Sequence, residues 1–239
     1  MPHNRYYLDI FFQENKTVTL VEDEHHHLCR VLRAEKGDPV ELVNGRGQLA
    51  VAEVTELQKR HSELKIVQVN EKIEQKPALI LAQALTRMNH LEWIIEKGTE
   101  LNVTEFWLFP GILSEKDRIS ETQALRLKSL AISAMKQCGR LDLPSIELKP
   151  PLLRWEAMQG TLLFGNPSDN VPYLWDIGFK KPLPSPVVLF IGPESGFDLR
   201  EREFLHNVLN AKEMRLHPNI LRAETASIVS LSLIQSYIS

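Results

Sequence analysis

Cysteine is nearly absent from this 239-residue chain: Cys29 and Cys138 are too few for a disulfide framework, which fits a reducing, cytoplasmic setting. No apolar run approaches the ~18 residues that would span a bilayer. The opening MPHNRYYLDIFF lacks the basic-then-apolar shape of a secretory signal. Positive charge is not in excess, since 28 Lys and Arg stand against 31 Asp and Glu, a net charge of -3. Wholesale polyanion binding is therefore excluded, and any nucleic acid must meet a local basic patch. Metal motifs are missing too. His25, His26 and His27 are consecutive, so on a helix they face different ways, and no HExxH or CxxC accompanies them. Helix-start packing or an RNA-facing role is expected there, and no metal.

What is present changes character along the chain. Up to residue 72, RYYLDIFF, TVTLVE, PVELVNG, QLAVAEVTEL and HSELKIVQV read as short strands rich in β-branched and aromatic residues. NGRG, from Asn44 to Gly47, is a hairpin-turn signal. DEHHHLCRVLRAEKG reads as one helix, capped by Asp23 and ended by Gly37. This describes a small barrel of roughly five strands. Beyond about Lys76, apolar strands alternate with longer helices, the pattern of an α/β domain with a mostly parallel sheet. Capping boxes are read at Asn89/Glu92, Ser120/Gln123 and Asp198/Glu201. Trp93, Ile94, Leu101 and Trp107 are assigned to the core. Two domains result, 1–72 and 73–239, with the boundary near residues 72 to 77.

Two loops near the end resemble each other in construction. IGPESGF (191–197) and LHPNILRAETA (216–226) each follow a strand and precede a helix, the position where α/β proteins bind ligands. IGPESGF is neither GxGxxG nor a P-loop, and Glu194 would repel phosphate. That carboxylate suits hydroxyls, amines or a cation, or else simply favours the positive end of the next helix. In the second loop, Pro218 and Asn219 free backbone groups while Ile220 and Leu221 offer an apolar wall, as a flat neutral base requires. The last helix is apolar almost all round, so it is either a central core helix or buried against a second subunit.

These residues resemble a known family. IGPESGF is similar to the IGPEGG motif, and LHPNILRAETA to the LGxRILRTETA motif, of the SPOUT methyltransferases. HHLCRVLRAEKGD, QALTRMNHLEWIIEKGTELNV and AMKQCGR further resemble bacterial small-subunit (16S) ribosomal RNA uracil-N3-methyltransferases, from about residue 5 to residue 237. The resemblance implies a PUA-like N-terminal barrel and a C-terminal α/β domain tied in a trefoil knot. It implies S-adenosylmethionine gripped by Phe164 and Gly165, by Ile191, Gly192, Pro193, Glu194 and Gly196, and by Leu216, Asn219, Ile220, Leu221 and Ala226. It also implies a homodimer through the last helix. Departures from the motifs stand at Ser195, His217, Ala223, Asn102 and the Ser114–Asp117 loop.

Methyl transfer to uracil N3 requires an exposed base, an in-line donor and loss of the N3 proton. Arg222 is the candidate for stabilising the developing anion, an ion pair with Glu224 being its alternative role. Glu224 is either the proton acceptor or a structural hydrogen-bonding group. Arg30, Arg33, Arg46, Arg87, Lys97, Lys136 and Arg140 are the candidates for phosphate contacts, with Arg30 and Arg33 on one helical face. The rival readings are ribose 2′-oxygen methylation and a non-catalytic RNA-binding protein.

Overall fold

The computed structural model describes residues 5–71 and 77–238. The expected boundary at residues 72 to 77 lies almost entirely on 72–76, outside the described residues. The chain divides into two compact units: Met1–Gln75 with Ile132–Leu143, and Lys76–Ala131 with Pro144–Ser239. The end of the long helix α3 (Glu121–Cys138) thus belongs with the first unit.

The first unit is a five-stranded sheet, β1 (Arg5–Tyr7), β2 (Thr17–Val21), β3 (Pro39–Val43), β4 (Gln48–Leu57) and β5 (His61–Glu71), in the order β1-β3-β4-β5-β2. Strand alternation sends Tyr6, Leu20, Leu42, Val54 and Leu64 into one core, each with no exposed surface. The NGRG turn forms as read. Asn44 Oδ1 accepts from the Arg46 and Gln48 amides at 2.9 and 3.2 Å, and Gly45 and Gly47 take φ of 70° and 92°. The segment 132–143 completes this unit through backbone bonds Gly47 to Leu141 and Leu143 to Gly45, both 2.9 Å.

The expected long helix is not one. Helix α1 is only Glu22–His26 and runs into a π-helical turn, His27–Val31. It starts directly off β2 with Val21 at the cap position, so Asp23 caps nothing. The chain leaves the turn through Arg33 at φ 51°, and Gly37 donates to the Val54 carbonyl instead of ending a helix. Arg30 and Arg33 therefore do not share a helical face. The first strand is shorter than RYYLDIFF, ending at Tyr7.

The second unit is a six-stranded, wholly parallel sheet. Its strands are β6 (Leu79–Ala84), β7 (Glu105–Phe109), β8 (Ser145–Leu148), β9 (Thr161–Gly165), β10 (Val187–Ile191) and β11 (Lys212–Met214), in the order β11-β9-β10-β6-β7-β8. Helices α2 (Met88–Glu100), α3, α4 (Leu199–Asn207) and α5 (Ala223–Ile238) connect or follow the strands. Both β6 and β10 are buried at every position, as strands covered on both faces must be. One core joins Ile80, Ala82, Phe109, Phe164, Val188 and Phe190 to Phe197, Leu205 and Leu209.

Two of the three expected capping boxes form. Ser120 and Gln123 exchange bonds of 3.0 and 3.2 Å, and Asp198 and Glu201 do the same around the start of α4. The third does not: α2 starts after Arg87 without a side-chain cap, and Glu92 pairs with Arg126. Trp93 is 50 % exposed under the Lys97 ammonium, so it is not core. Trp107 is half-buried and meets Trp155 edge-on at 5.6 Å. These differences set up a paired test by thermal or chemical unfolding. Asp198→Ala loses a formed cap and costs about 1 kcal/mol, whereas Asp23→Ala, with no cap to lose, stays within about 0.5 kcal/mol of the unmodified protein.

Candidate functional site

The carboxyl ends of β9, β10 and β11 open onto a single cleft of about 290 Å³. Gly165, Asn166 and Pro167 form one wall, and Ile191 to Gly196 a second. Met214, Leu216, His217, Asn219, Ile220 and Leu221 form the third, with Ala223 and Ala226 of α5 closing it. A ligand site at the end of parallel strands is what this architecture provides.

The second wall needs its glycines. A Cβ on Gly192 would lie 3.0 Å from the Gly196 carbonyl carbon and from the Phe197 nitrogen, and Gly196 sits at φ 76°. Ser195 does not have a positive φ, so a side chain is tolerated where the family motif has glycine. At the third wall, His217 Nδ1 accepts from the Asn219 amide at 3.1 Å, and Arg215 donates to the His217 and Pro218 carbonyls at 3.2 and 2.9 Å. The histidine that replaces a motif glycine thus helps fix the loop.

Behind the cleft lies a residue that sequence reading passed over. Gln83, on β6, is fully buried. Its Nε2 donates to the Ala84 carbonyl at 2.9 Å and to the Gly192 carbonyl at 3.3 Å, and its Oε1 accepts from the Ser227 hydroxyl at 2.6 Å. One amide therefore joins β6, the glycine loop and α5. The available signal was a lone polar side chain inside an otherwise apolar strand.

Of the residues expected to grip a cofactor, Gly165, Ile191, Gly192, Pro193, Glu194, Gly196, Leu216, Asn219, Ile220, Leu221 and Ala226 all line the cleft. Phe164 does not. Alternation along β9 turns its ring into the core, against Phe197 at 6.2 Å and His206 at 5.1 Å. Arg222 is exposed between the lining residues Leu221 and Ala223, and it has no ion pair among the described residues. Glu224 turns instead toward His90, its Oε2 lying 3.7 Å from Nδ1. His90 Nδ1 is also 3.2 Å from Glu194 Oε1, which accepts from the Arg87 amide at 3.2 Å. His90 was not foreseen, because its partners lie 104 and 134 positions further along the chain.

The basic candidates are more varied than their sequence suggests. Lys136 is held by Glu24 at 2.6 Å, and Arg140, 7 % exposed, by Asp142 at 2.5 Å. Lys97 lies 2.8 Å from both Glu96 and Glu100. Arg87 makes a two-pronged contact with Glu115, which holds that carboxyl below its usual range. Arg46 pairs with Asp9. Arg30 and Arg33 are exposed, with no recorded partner. Among the described residues no cluster of three or more His, Cys, Asp and Glu has the form of a metal site, and no helix is long and apolar enough to cross a membrane.

Fold and cleft together define a two-domain α/β protein with a ligand site at the ends of three parallel strands. The model of the RNA methyltransferase domain matches residues 73–235, and that of the RNA methyltransferase PUA domain matches residues 21–67. The chain belongs to this RNA methyltransferase family. It is 27 % identical to the ribosomal RNA small subunit methyltransferase E of Rickettsia conorii, over 98 % of this chain and 96 % of that one. It is 31 % identical to the protein of the same name from Synechocystis sp., over 92 % and 73 %. A methyltransferase of Legionella pneumophila, solved with S-adenosylmethionine bound, superposes with a TM-score of 0.85 at 26 % identity, over 97 % and 96 % of the two chains.

Replacing Gln83 with Leu removes the buried hydrogen bonds to the Gly192 carbonyl and from the Ser227 hydroxyl, which keeps only the Ala223 carbonyl at 3.0 Å. A loss of about 2 kcal/mol in unfolding free energy is expected. Urea unfolding measures it, and an unchanged midpoint would deny the amide this role.

Proposed function

We propose that this protein transfers a methyl group from S-adenosylmethionine to N3 of a uracil in the 16S ribosomal RNA of the small subunit. The observation that carries the reading is the composition of the cleft. Its lining contains no Lys or Arg, which argues against a phosphate-bearing cofactor, and it contains the carboxylate of Glu194. Leu216, Ile220 and Leu221 supply an apolar wall for adenine, and the loops supply backbone groups for its edges. Glu194 supplies a counter-charge for a cationic ligand. When bound, the cofactor supplies an electrophilic methyl group.

Arg222, exposed beside this cleft and free of any carboxylate, is assigned to the uracil oxygens, where negative charge grows during transfer. Arg30, Arg33, Arg46 and Arg87 are assigned to the phosphates of the RNA. We place the protein in the cytoplasm, acting without a metal on the assembled small subunit, with its last segments forming a trefoil knot. The decisive assay uses radiolabelled cofactor and ribosomal subunits that lack the modification, followed by digestion to nucleosides. Label is expected in N3-methyluridine and is expected to fall at least 100-fold with Arg222→Ala. Label in a 2′-O-methyl nucleoside would keep the fold and overturn the specificity.

The homodimer is assigned to α5. Ala223, Ser227, Ser230, Leu231 and Ile234 face the core, while Ile228, Val229 and Leu233 stay only half-buried. An apolar side left over after the core is satisfied is the signature of a subunit interface. Light scattering at micromolar concentration is expected to return twice the 27.4 kDa chain mass, and a value near 27.4 kDa would refute the dimer.

A further inference from the structure

The reaction class leaves one question open: where the N3 proton goes. The structure holds a cluster that answers it. Among the described residues, Glu194 is the one carboxylate lining the cleft. Both of its recorded hydrogen bonds fall on Oε1, from the Arg87 amide and with His90 Nδ1, each at 3.2 Å. Oε2 is left without a partner among the described residues. Near the same nitrogen of His90, Glu224 Oε2 is buried with no hydrogen-bond partner, 3.7 Å from Nδ1. Three elements thus converge on one imidazole: the glycine loop, the first turn of α2, and the first turn of α5. The neighbouring Arg87 guanidinium pairs with Glu115 and also lies within electrostatic reach of Glu194.

We propose, on the reading that the reaction is N3 methylation of uracil, that Glu194 accepts the N3 proton and that His90, shared with Glu224, positions Glu194 for that role. In the balanced step the bond from N3 to the methyl carbon forms as the sulfur–methyl bond breaks. The electron pair of that bond stays on sulfur, and the N3 proton passes to Glu194 Oε2. The cleft loses the positive charge of the sulfonium in this step, and the arriving proton restores it a few ångströms away. Both carboxylates have an oxygen within 3.7 Å of the imidazole Nδ1, so the proton arrives beside groups already held in place. Glu224 does not serve as the acceptor itself. It does not line the cleft, and its free oxygen faces His90. His90 is a positioning residue because its recorded contacts are with the two carboxylates and none with the cleft.

The test pairs single-turnover methyl transfer to unmodified subunits with calorimetry of S-adenosylmethionine binding, on the full-length protein. At saturating cofactor, Glu194→Gln is expected to lower the transfer rate on the order of 100-fold or more, beyond whatever affinity the missing counter-charge costs. His90→Leu is expected to lower the rate about tenfold at saturating cofactor and RNA, and His90→Lys, which returns a hydrogen-bond donor toward the carboxylates, to restore most of it. A Glu194→Gln protein that transfers within threefold of the unmodified rate overturns the assignment. So does one whose whole loss is recovered by raising the cofactor concentration, since Glu194 would then serve recognition alone. Should Glu194→Gln not fold, equal rates for His90→Leu and His90→Lys overturn the proposal. Absence of transfer by the unmodified protein, with the cofactor bound, overturns instead the functional reading beneath it.

Discussion

The site depends on one buried amide. Gln83 lies in a strand that is covered on both faces, where water cannot satisfy it, so its donor and acceptor must find protein partners. Those partners are the Ala84 and Gly192 carbonyls and the Ser227 hydroxyl. The requirement ties to the strand two segments that lie more than a hundred residues further along the chain. If the glycine loop shifted, the amide would keep only its bond to Ala84. If α5 shifted, the amide oxygen would lose its donor and carry the desolvation cost of an orphaned group. The cleft wall and the helix that closes the cleft are therefore set together. Glu194, two residues beyond Gly192, inherits its position from that constraint. Glu224, three residues before Ser227 and so about one turn earlier on α5, inherits its own from the same amide.

The cleft and its rim separate charge. The lining carries a carboxylate and no strong cation, while Arg222 stands exposed between two lining residues with its charge uncommitted. A cationic small molecule inside and a polyanion outside would each meet the opposite sign. That arrangement explains why an overall net charge of -3 is compatible with an RNA substrate: the attractive field is needed only at the rim, within a Debye length of ~8 Å at physiological salt.

Much of this was legible in the sequence, and the parts that were not share a cause. The strand–helix alternation after Lys76, the hairpin at Asn44–Gly47 and the boxes at Ser120 and Asp198 are encoded within a few residues, and each formed. The cap read at Asn89 failed because α2 already begins at Met88 with Arg87 at its cap position, which puts Asn89 inside the first turn. The helix read at residues 23–37 failed because β2 delivers the chain into it without a linker, and it bends out as a π-helical turn. The cleft itself was legible from two motif-like loops, whereas His90 and Gln83 were not. Their meaning lies in partners 104 to 144 positions distant, and a single sequence does not display such pairs.

The seven basic candidates illustrate the same point energetically. A cation serves RNA only if a phosphate can replace its carboxylate partner at small cost. Arg87 and Glu115 are both more than half exposed, so water already weakens their pairing and a phosphate can take the place of the carboxylate. Arg46 and Asp9 are each 49 % exposed and can exchange in the same way. Arg140 stands at the other limit. Its side chain is 6 % exposed although Asp142 is 45 % exposed, so a phosphate could reach the guanidinium only at a desolvation cost. Lys136 and Glu24 are four-fifths buried and follow Arg140. The paired cations that exchange most readily are therefore Arg46 and Arg87, while Arg30, Arg33 and Arg222 are exposed. Lys136 ties the 132–143 segment to Glu24 of the first unit.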